Sequence, residues 1–332
     1  MKICIYGAGA IGGQIGAQLA RSGIEVSLVA RGPHLAAIQR NGLTLVAEGE
    51  RFTVRPRATD NAAELGAQDF VFIALKAHGT PAAVPRLKPL LGPHTAVVTA
   101  MNGMPWWYFY KLAGPYEGRQ IETVDPGGAQ WRGIGPERAI GCVLWQAAEI
   151  VEPGVVELRH GNRMPIGEPD NSRSERAQLL SKAMLAAGLK SPVKTNIRDE
   201  IWMKLWGNLS FNPVSLLTQG TLERIASDPD TKPAVRAMMI EAEAIAHRLG
   251  VRFAMNVDKR IEVAREVGAH KTSMLQDLEL GRPIELEALT GVVIELGRIV
   301  GVPTPAIEMV YGLARQRARI AGCYPESQSA AE

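Results

Sequence analysis

Two stretches hold residues whose types and spacing could do chemistry, and they lie far apart in the chain. In Asp199–Asn212, Lys204, Asn208 and Asn212 recur at i, i+4 and i+8, so a helix there would carry an ammonium and two carboxamides on one stripe. A lysine flanked by two amides can hold a carboxylate and a carbonyl oxygen, and an ammonium can protonate an oxygen on which negative charge develops. From the helix alone, a solvated polar face is the plainer reading. Trp202, Leu205, Trp206 and Leu209 fill the adjacent arc as a core face, and Pro213 is expected to end or kink the helix at Asn212.

The other stretch opens the chain. Ile3–Tyr6 is a short apolar run suited to a buried strand, followed by Gly7-Ala8-Gly9-Ala10-Ile11-Gly12 and then Gln14–Ser22 with helical character. A strand, a Gly-x-Gly-x-x-Gly turn and a helix in that order form the dinucleotide-binding fingerprint. Gly7 permits the tight turn, Gly9 lets the backbone approach a pyrophosphate, and Gly12 lets helix and strand pack closely. The helix start offers unpaired N–H groups to that anion. Glu25–Ala30 reads as the second strand and ends at Arg31, about twenty residues past the turn, where an acidic residue would bind a ribose 2′-hydroxyl. A cation there suits a 2′-phosphate instead, which favours NADPH/NADP+ over NAD(H).

These groups need a scaffold, and the rest of the chain supplies its pattern. Leu35–Gln39 reads as a helix, Leu43–Val46 and Phe52–Arg55 as a hairpin inserted in the nucleotide-binding sheet, and Asp69–Leu75 and Thr95–Ala100 as strands. Strands alternating with helices predict a parallel sheet covered on both faces, with ligands beyond the carboxyl ends of its strands. Lys76 and Asn102 follow two such ends, where they fit ligand contacts and ordinary strand-end and turn residues equally well. Pro105–Tyr110 gathers two tryptophans, two tyrosines and a phenylalanine, either a pocket wall or a packed loop. Ala139–Leu144, Gly154–Leu158 and Met164–Ile166 read as antiparallel additions closing this domain. Ser172 is the expected cap of a helix over Arg173–Ala187, with Glu175 completing a capping box. Lys232–Leu249, Met255–Val267 and Ile284–Val300 continue the helical pattern. Ser273 and Glu285, taken singly, look like an N-cap and a first-turn glutamate. The expectation is an α/β chain, with an N-terminal Rossmann-like dinucleotide-binding domain over 1–190 and a C-terminal all-helical domain over 191–325.

Length and composition set outer bounds. The 332 residues suffice for two domains. With 46% hydrophobic and 21% charged residues and a net charge of +3, nothing points to nucleic acid or a membrane surface. Lys2 leads directly into the first strand, and no run of eighteen apolar residues occurs, so neither a secretory leader nor a membrane span is expected. Cys4, Cys142 and Cys323 are widely spaced and the six histidines lack ligand spacing, so a reduced cytoplasmic protein without a metal site is expected, with Cys4 as apolar filler.

Taken in order, Gly7-Ala8-Gly9-Ala10-Ile11-Gly12, Leu75-Lys76-Ala77, Asn102-Gly103, Trp202-x-Lys204-Leu205-x-x-Asn208-x-x-x-Asn212-Pro213, Ser273-Met274-Leu275-Gln276-Asp277 and Glu285 make the chain similar, over nearly its whole length, to the ketopantoate reductase (2-dehydropantoate 2-reductase) family. The resemblance implies a two-domain NADPH enzyme working in an interdomain cleft on a small anionic 2-oxo acid. It implies Lys204 as the general acid. Asn102, Lys204, Asn208, Asn212, Ser273, Met274, Leu275 and Gln276 are the implied substrate contacts. Gly7, Ala8, Gly9, Ala10, Ile11, Gly12, Arg31, Lys76, Asn102, Ala148 and Glu285 are the implied cofactor contacts. Several relatives are homodimers, and the apolar C-terminal helices suit that state. Gly79 and Leu222 stand where the family has glutamine and asparagine, and the Pro105–Tyr110 cluster is bulkier than its counterpart. A lost polar contact changes which substrate hydroxyls a site rewards, so a paralogue for another 2-oxo or hydroxy acid is the second reading. A non-catalytic NADP(H) sensor is the third.

Overall fold

The computed structural model describes residues 1–325, so the end of the polar tail after Tyr324 lies outside the described residues. The chain divides into two compact units, Met1–Ile197 and Arg198–Glu332.

The first unit runs β1 (Lys2–Tyr6), α1 (Ala10–Arg21), β2 (Glu25–Val29), α2 (Gly32–Asn41), β3 (Leu43–Ala47), β4 (Glu50–Val54), β5 (Arg57–Thr59), β6 (Gln68–Ile73), α3 (Thr80–Leu87), β7 (Leu91–Thr99), α4 (Ala129–Gly133), β8 (Ala139–Cys142), β9 (Ala147–Glu152), β10 (Val155–His160), β11 (Ile166–Gly167) and α5 (Glu175–Ala186). Seven strands form one sheet in the order β11-β8-β7-β6-β1-β2-β5, parallel except for β11. Its central strands are nearly unbroken apolar runs because both faces are covered: Ile3, Cys4 and Ile5 in β1 and Val71, Phe72 and Ile73 in β6 are fully buried. Burial pushes the Cys4 thiol up to about 12, as expected of an inert apolar filler.

Two expectations about strands need correction. The β3–β4 hairpin forms as expected, but outside the nucleotide-binding sheet. It belongs to a second sheet, β4-β3-β10-β9, in which β10 runs parallel to β3. Alternation of apolar and polar residues marks a half-buried strand without naming its partner, and here the partner is over a hundred residues away. Nor are the later strands all antiparallel additions: β8 pairs parallel with β7, and only β11 adds antiparallel to that sheet. Helix α1 packs on strands of both sheets. The cap of α5 is Ser174 rather than Ser172, its Oγ accepting from Ala177 N while donating to Glu168. Ser172 instead closes a turn through its N–H to Asp170.

The second unit is helical: α6 (Ile197–Thr218, its first residue closing the first unit), α7 (Leu222–Ser227), α8 (Lys232–Arg248), α9 (Val257–Glu266), α10 (Ser273–Glu279), α11 (Val292–Val300) and α12 (Pro305–Ile320). Pro213 does not end α6, which continues a further turn and more to Thr218. Proline leaves the carbonyl four residues earlier without its helical N–H. That carbonyl belongs to Leu209, and the buried Thr290 hydroxyl donates to it across 3.4 Å. Thr290 lies in a wide π-type turn, Glu287–Gly291, at the head of α11, where the expected helix from Ile284 is interrupted.

Candidate functional site

In the first unit the candidate residues lie along an edge of the parallel sheet. Register aligns Val29, Tyr6, Ile73 and Thr99, the ends of β2, β1, β6 and β7, with Gly141, one residue before the end of β8. The residues just past these ends are therefore neighbours along one rim: Arg31, the glycine turn, Lys76 and Asn102. Such a rim is where open α/β sheets bind ligands.

At its centre, Gly7 takes φ +101°, a value strained for any residue with a side chain. The N–H groups of Gly7 and Ala8 both donate to Val29 O, at 3.0 and 2.9 Å, fastening the turn to the end of β2. A Cβ at Gly12 would lie 2.2 Å from Gly7 O, whereas one at Gly9 would meet nothing within 4 Å. Gly12 is thus a packing requirement and Gly9 leaves open approach, as a bound pyrophosphate needs. No acidic residue occupies the first turn of α1 and no side chain caps it, so the helix start is suited to an anion. Ala10 and Ile11 form its first turn.

Arg31 is exposed at the start of α2. Three residues further on, His34 Nδ1 accepts from Gly154 N at 3.0 Å, tying α2 to the loop before β10. Burial pushes the His34 imidazole below its ordinary value, opposed by the nearby Ala8 carbonyl.

Two orphaned amides complete the rim. Asn102 is half-buried with Oδ1 out of solvent and without a hydrogen-bond partner, and Gln146, four residues past β8, has both amide atoms in that state. Buried polar atoms are rarely left so, and both amides fit a site that hydrogen-bonds a ligand. Gln146 escaped the sequence reading because nothing in Trp145-Gln146-Ala147 distinguishes it. Ala148, chosen there instead, is half-buried in β9, paired with Leu158. Trp106, Trp107, Tyr108 and Phe109 are all buried. Trp107 Nε1 donates to Thr99 Oγ1 at 3.2 Å, and its ring abuts Gly141, so this aromatic packing supports two of the aligned strand ends.

The helical unit carries a candidate set of its own. Trp202, Trp206 and Leu209 of α6 are fully buried. Trp206 donates from Nε1 to Met239 O at 2.7 Å and stacks on Phe253 at 4.1 Å between ring centroids. These contacts fix the helix rotationally. Lys204 and Asn208 remain half-buried on its polar stripe, and Asn212 is 4% exposed with its Nδ2 unpartnered.

In α10 the cap is Thr272, whose Oγ1 accepts from Leu275 N, so Ser273 is the first helical residue rather than the cap. Met274 and Leu275 turn into the core, leaving Ser273 and Gln276 exposed. Glu285 is half-buried, just ahead of the π-type turn, and its carbonyl accepts from Leu289 N. The structure therefore gathers Gly7–Gly12, Arg31, Lys76 and Asn102 on one rim, and Lys204, Asn208 and Asn212 on one helix. Among the described residues no group of three His, Cys, Asp or Glu side chains is placed to hold a metal ion, and no helix is long and apolar enough to cross a membrane.

Comparison with known proteins covers both units. Residues 3–171 match the model of the ketopantoate reductase PanE/ApbA family, and residues 196–318 match that of its C-terminal domain. A 2-dehydropantoate 2-reductase of Mesorhizobium japonicum is 54% identical over 98% of this chain and 100% of its own. The crystal structure of a candidate ketopantoate reductase from Ralstonia solanacearum superposes with a TM-score of 0.93 at 42% identity, covering 97% of this chain and 99% of the other. A 2-dehydropantoate 2-reductase from Geobacter metallireducens gives 0.83 at 28% identity over 95% and 99%. The chain belongs to the ketopantoate reductase family.

Proposed function

We propose that this protein reduces a 2-oxo acid to the 2-hydroxy acid with NADPH, and that the acid is 2-dehydropantoate (ketopantoate). The observation that carries this reading is the end-to-end match at 54% identity to a 2-dehydropantoate 2-reductase. The open approach at Gly9, the uncapped start of α1 and the orphaned amides of Asn102 and Gln146 support dinucleotide binding at the rim. Arg31 supports the 2′-phosphorylated form.

When bound, the reduced nicotinamide supplies a hydride. Lys204 stabilises the negative charge that develops on the substrate's carbonyl oxygen and delivers a proton from Nζ. Asn208 and Asn212, with Ser273 and Gln276, hold the polar groups of the acid; Met274 and Leu275 set the position of those two side chains. Lys76, Ala148 and Glu285 contact the cofactor, and Asn102 bridges cofactor and substrate. Exposed Met309, Leu313 and Ile320 on α12 support a homodimer, and a cytoplasmic location fits the reaction.

Leu222 favours a second reading. It heads α7, capped by Thr221, where the family's asparagine would stand, so the preferred acid could be another branched or aromatic one. Steady-state NADPH oxidation with ketopantoate beside a panel of 2-oxo acids tests both. Preferential turnover of ketopantoate supports the first, and strong preference for another acid replaces it with the second.

A further inference from the structure

Glu285 sits in a segment fastened on both sides by residues that follow α12. Its neighbour Ile284 donates its N–H to Cys323 O at 2.9 Å, and the buried Cys323 donates its own N–H to Ala318 O near the end of α12. Two residues beyond Glu285, the Glu287 carboxylate accepts from the hydroxyls of Tyr324 at 2.5 Å and Tyr311 at 2.6 Å, both on Oε1. Successive residues, Cys323 and Tyr324, thus tie down the backbone before Glu285 and the side chain after it. Residues 282–285 belong to no helix or strand, so the placement of Glu285 depends on such ties rather than on a ladder of its own.

Glu287 opens the π-type turn Glu287–Gly291, a geometry that is rare and concentrated at functional sites. A Cβ on Gly291 would lie 2.4 Å from Glu287 Oε2, so the carboxylate folds back over the turn where a side chain would displace it. Hydrogen bonds to a carboxylate are short and strong. Burial, reinforced by Glu287, pushes both phenols above their ordinary pKa, so both stay donors. Cations hold the rings in turn: the guanidinium of Arg315 lies 5.0 Å over Tyr311 and that of Arg319 5.1 Å over Tyr324. The turn is also tied to α6, through the Thr290 hydroxyl and Leu209 O. It runs on directly from Glu285, whose carbonyl accepts from Leu289 N at 3.3 Å.

We propose that Tyr324 and Tyr311 are positioning residues for the reaction: by holding Glu287 they fix the turn that sets Glu285 against the cofactor. The proposal rests on the reading of Glu285 as a cofactor contact. A contact residue serves only if it is held within about half an ångström of its productive place, and the groups that hold it act through it. The two hydroxyls, on residues from α12 and just past it, converge on one carboxylate oxygen two residues from the contact. Losing them frees the Glu287 side chain and leaves the turn secured on its α6 side alone.

The test titrates NADPH directly into wild type, Tyr324→Phe, the double variant Tyr311→Phe/Tyr324→Phe, Glu285→Ala and the combination Tyr324→Phe/Glu285→Ala, with a thermal melt of each. The expected result is a Kd for NADPH raised about tenfold by Glu285→Ala, about threefold by Tyr324→Phe and further by the pair of phenylalanines. Because the hydroxyls act through Glu285, Tyr324→Phe changes Kd by less than about 1.5-fold once Glu285 is alanine. A purely structural role would lower Tm and leave the Kd of the folded protein alone. Phenylalanine keeps the ring and its packing, and Tyr324→Phe, which leaves Glu287 one donor, decides the matter if the double variant fails to fold. A wild-type Kd in the phenylalanine variants overturns the proposal while leaving Glu285 as a contact, and so does an equal loss on top of Glu285→Ala. A wild-type Kd in Glu285→Ala overturns the contact reading and the proposal with it.

Discussion

At the scale of single residues, the arguments turn on charge and orphaned polarity. Arg31 is exposed just past the end of β2, so its guanidinium can pair with a 2′-phosphate, whereas a plain ribose offers it no charge to pair with. Arg31→Glu is predicted to raise the KM for NADPH by about tenfold or more while lowering that for NADH; an unchanged ratio of kcat/KM for the two cofactors would remove Arg31 from the site. His34 makes a prediction about pH. Its folded pKa lies below the ordinary 6.5, so between the two values the unfolded chain binds the extra proton and stability rises with pH. The contribution is complete above 6.5 and is lost as pH falls through that value toward the folded pKa, when protonated Nδ1 can no longer accept from Gly154 N. Thermal melts over this window should show an acid-side fall in Tm that is reduced in His34→Asn, whose amide oxygen still accepts. That Lys204, Asn208 and Asn212 share one helix was legible from their spacing. The two orphaned amide atoms of Gln146 were not. A glutamine between a tryptophan and an alanine looks like any strand-end residue, and only its tertiary burial makes it different.

At the scale of elements, α6 shows how packing overrides a local signal. Pro213 reads as a helix end because it removes an N–H and crowds the preceding turn. The helix nevertheless continues to Thr218, with Trp202 and Trp206 anchored before the proline and Val214 and Leu216 buried after it. Thr290 supplies the missing donor to Leu209 from a different part of the chain. Thr290→Val is predicted to destabilise the protein by about 1–3 kcal/mol by leaving a buried carbonyl unpaired, and Thr290→Ser by less. In a Pro213→Ala background the helix regains its own N–H, so the penalty of Thr290→Val should shrink. Denaturant unfolding of the four variants measures this, and additive losses would refute the link. The sheets give a related lesson. The strands of the parallel sheet announced themselves by continuous apolar runs, whereas the pairing of β3 with β10 depends on contacts far apart in sequence that no local pattern encodes.

At the scale of the whole molecule, the chain matches its relatives from end to end, and each unit carries its own set of polar groups: a rim of backbone donors and amides in one, an ammonium with amides in the other. The α/β and helical division was readable because the period of apolar residues changes along the chain. The roles of the residues within each unit depended on the family pattern. The central claim, reduction of a 2-oxo acid with Lys204 as proton donor, is tested most directly by NADPH oxidation with ketopantoate in wild type and Lys204→Ala, with NADPH affinity measured alongside. The predicted result is turnover by wild type and a kcat lower by about 100- to 10,000-fold in the variant, with NADPH bound as tightly in both. Equal turnover in both would contradict the role of Lys204, and tight NADPH binding without turnover of any 2-oxo acid by wild type would contradict the reductase itself and favour a nucleotide sensor.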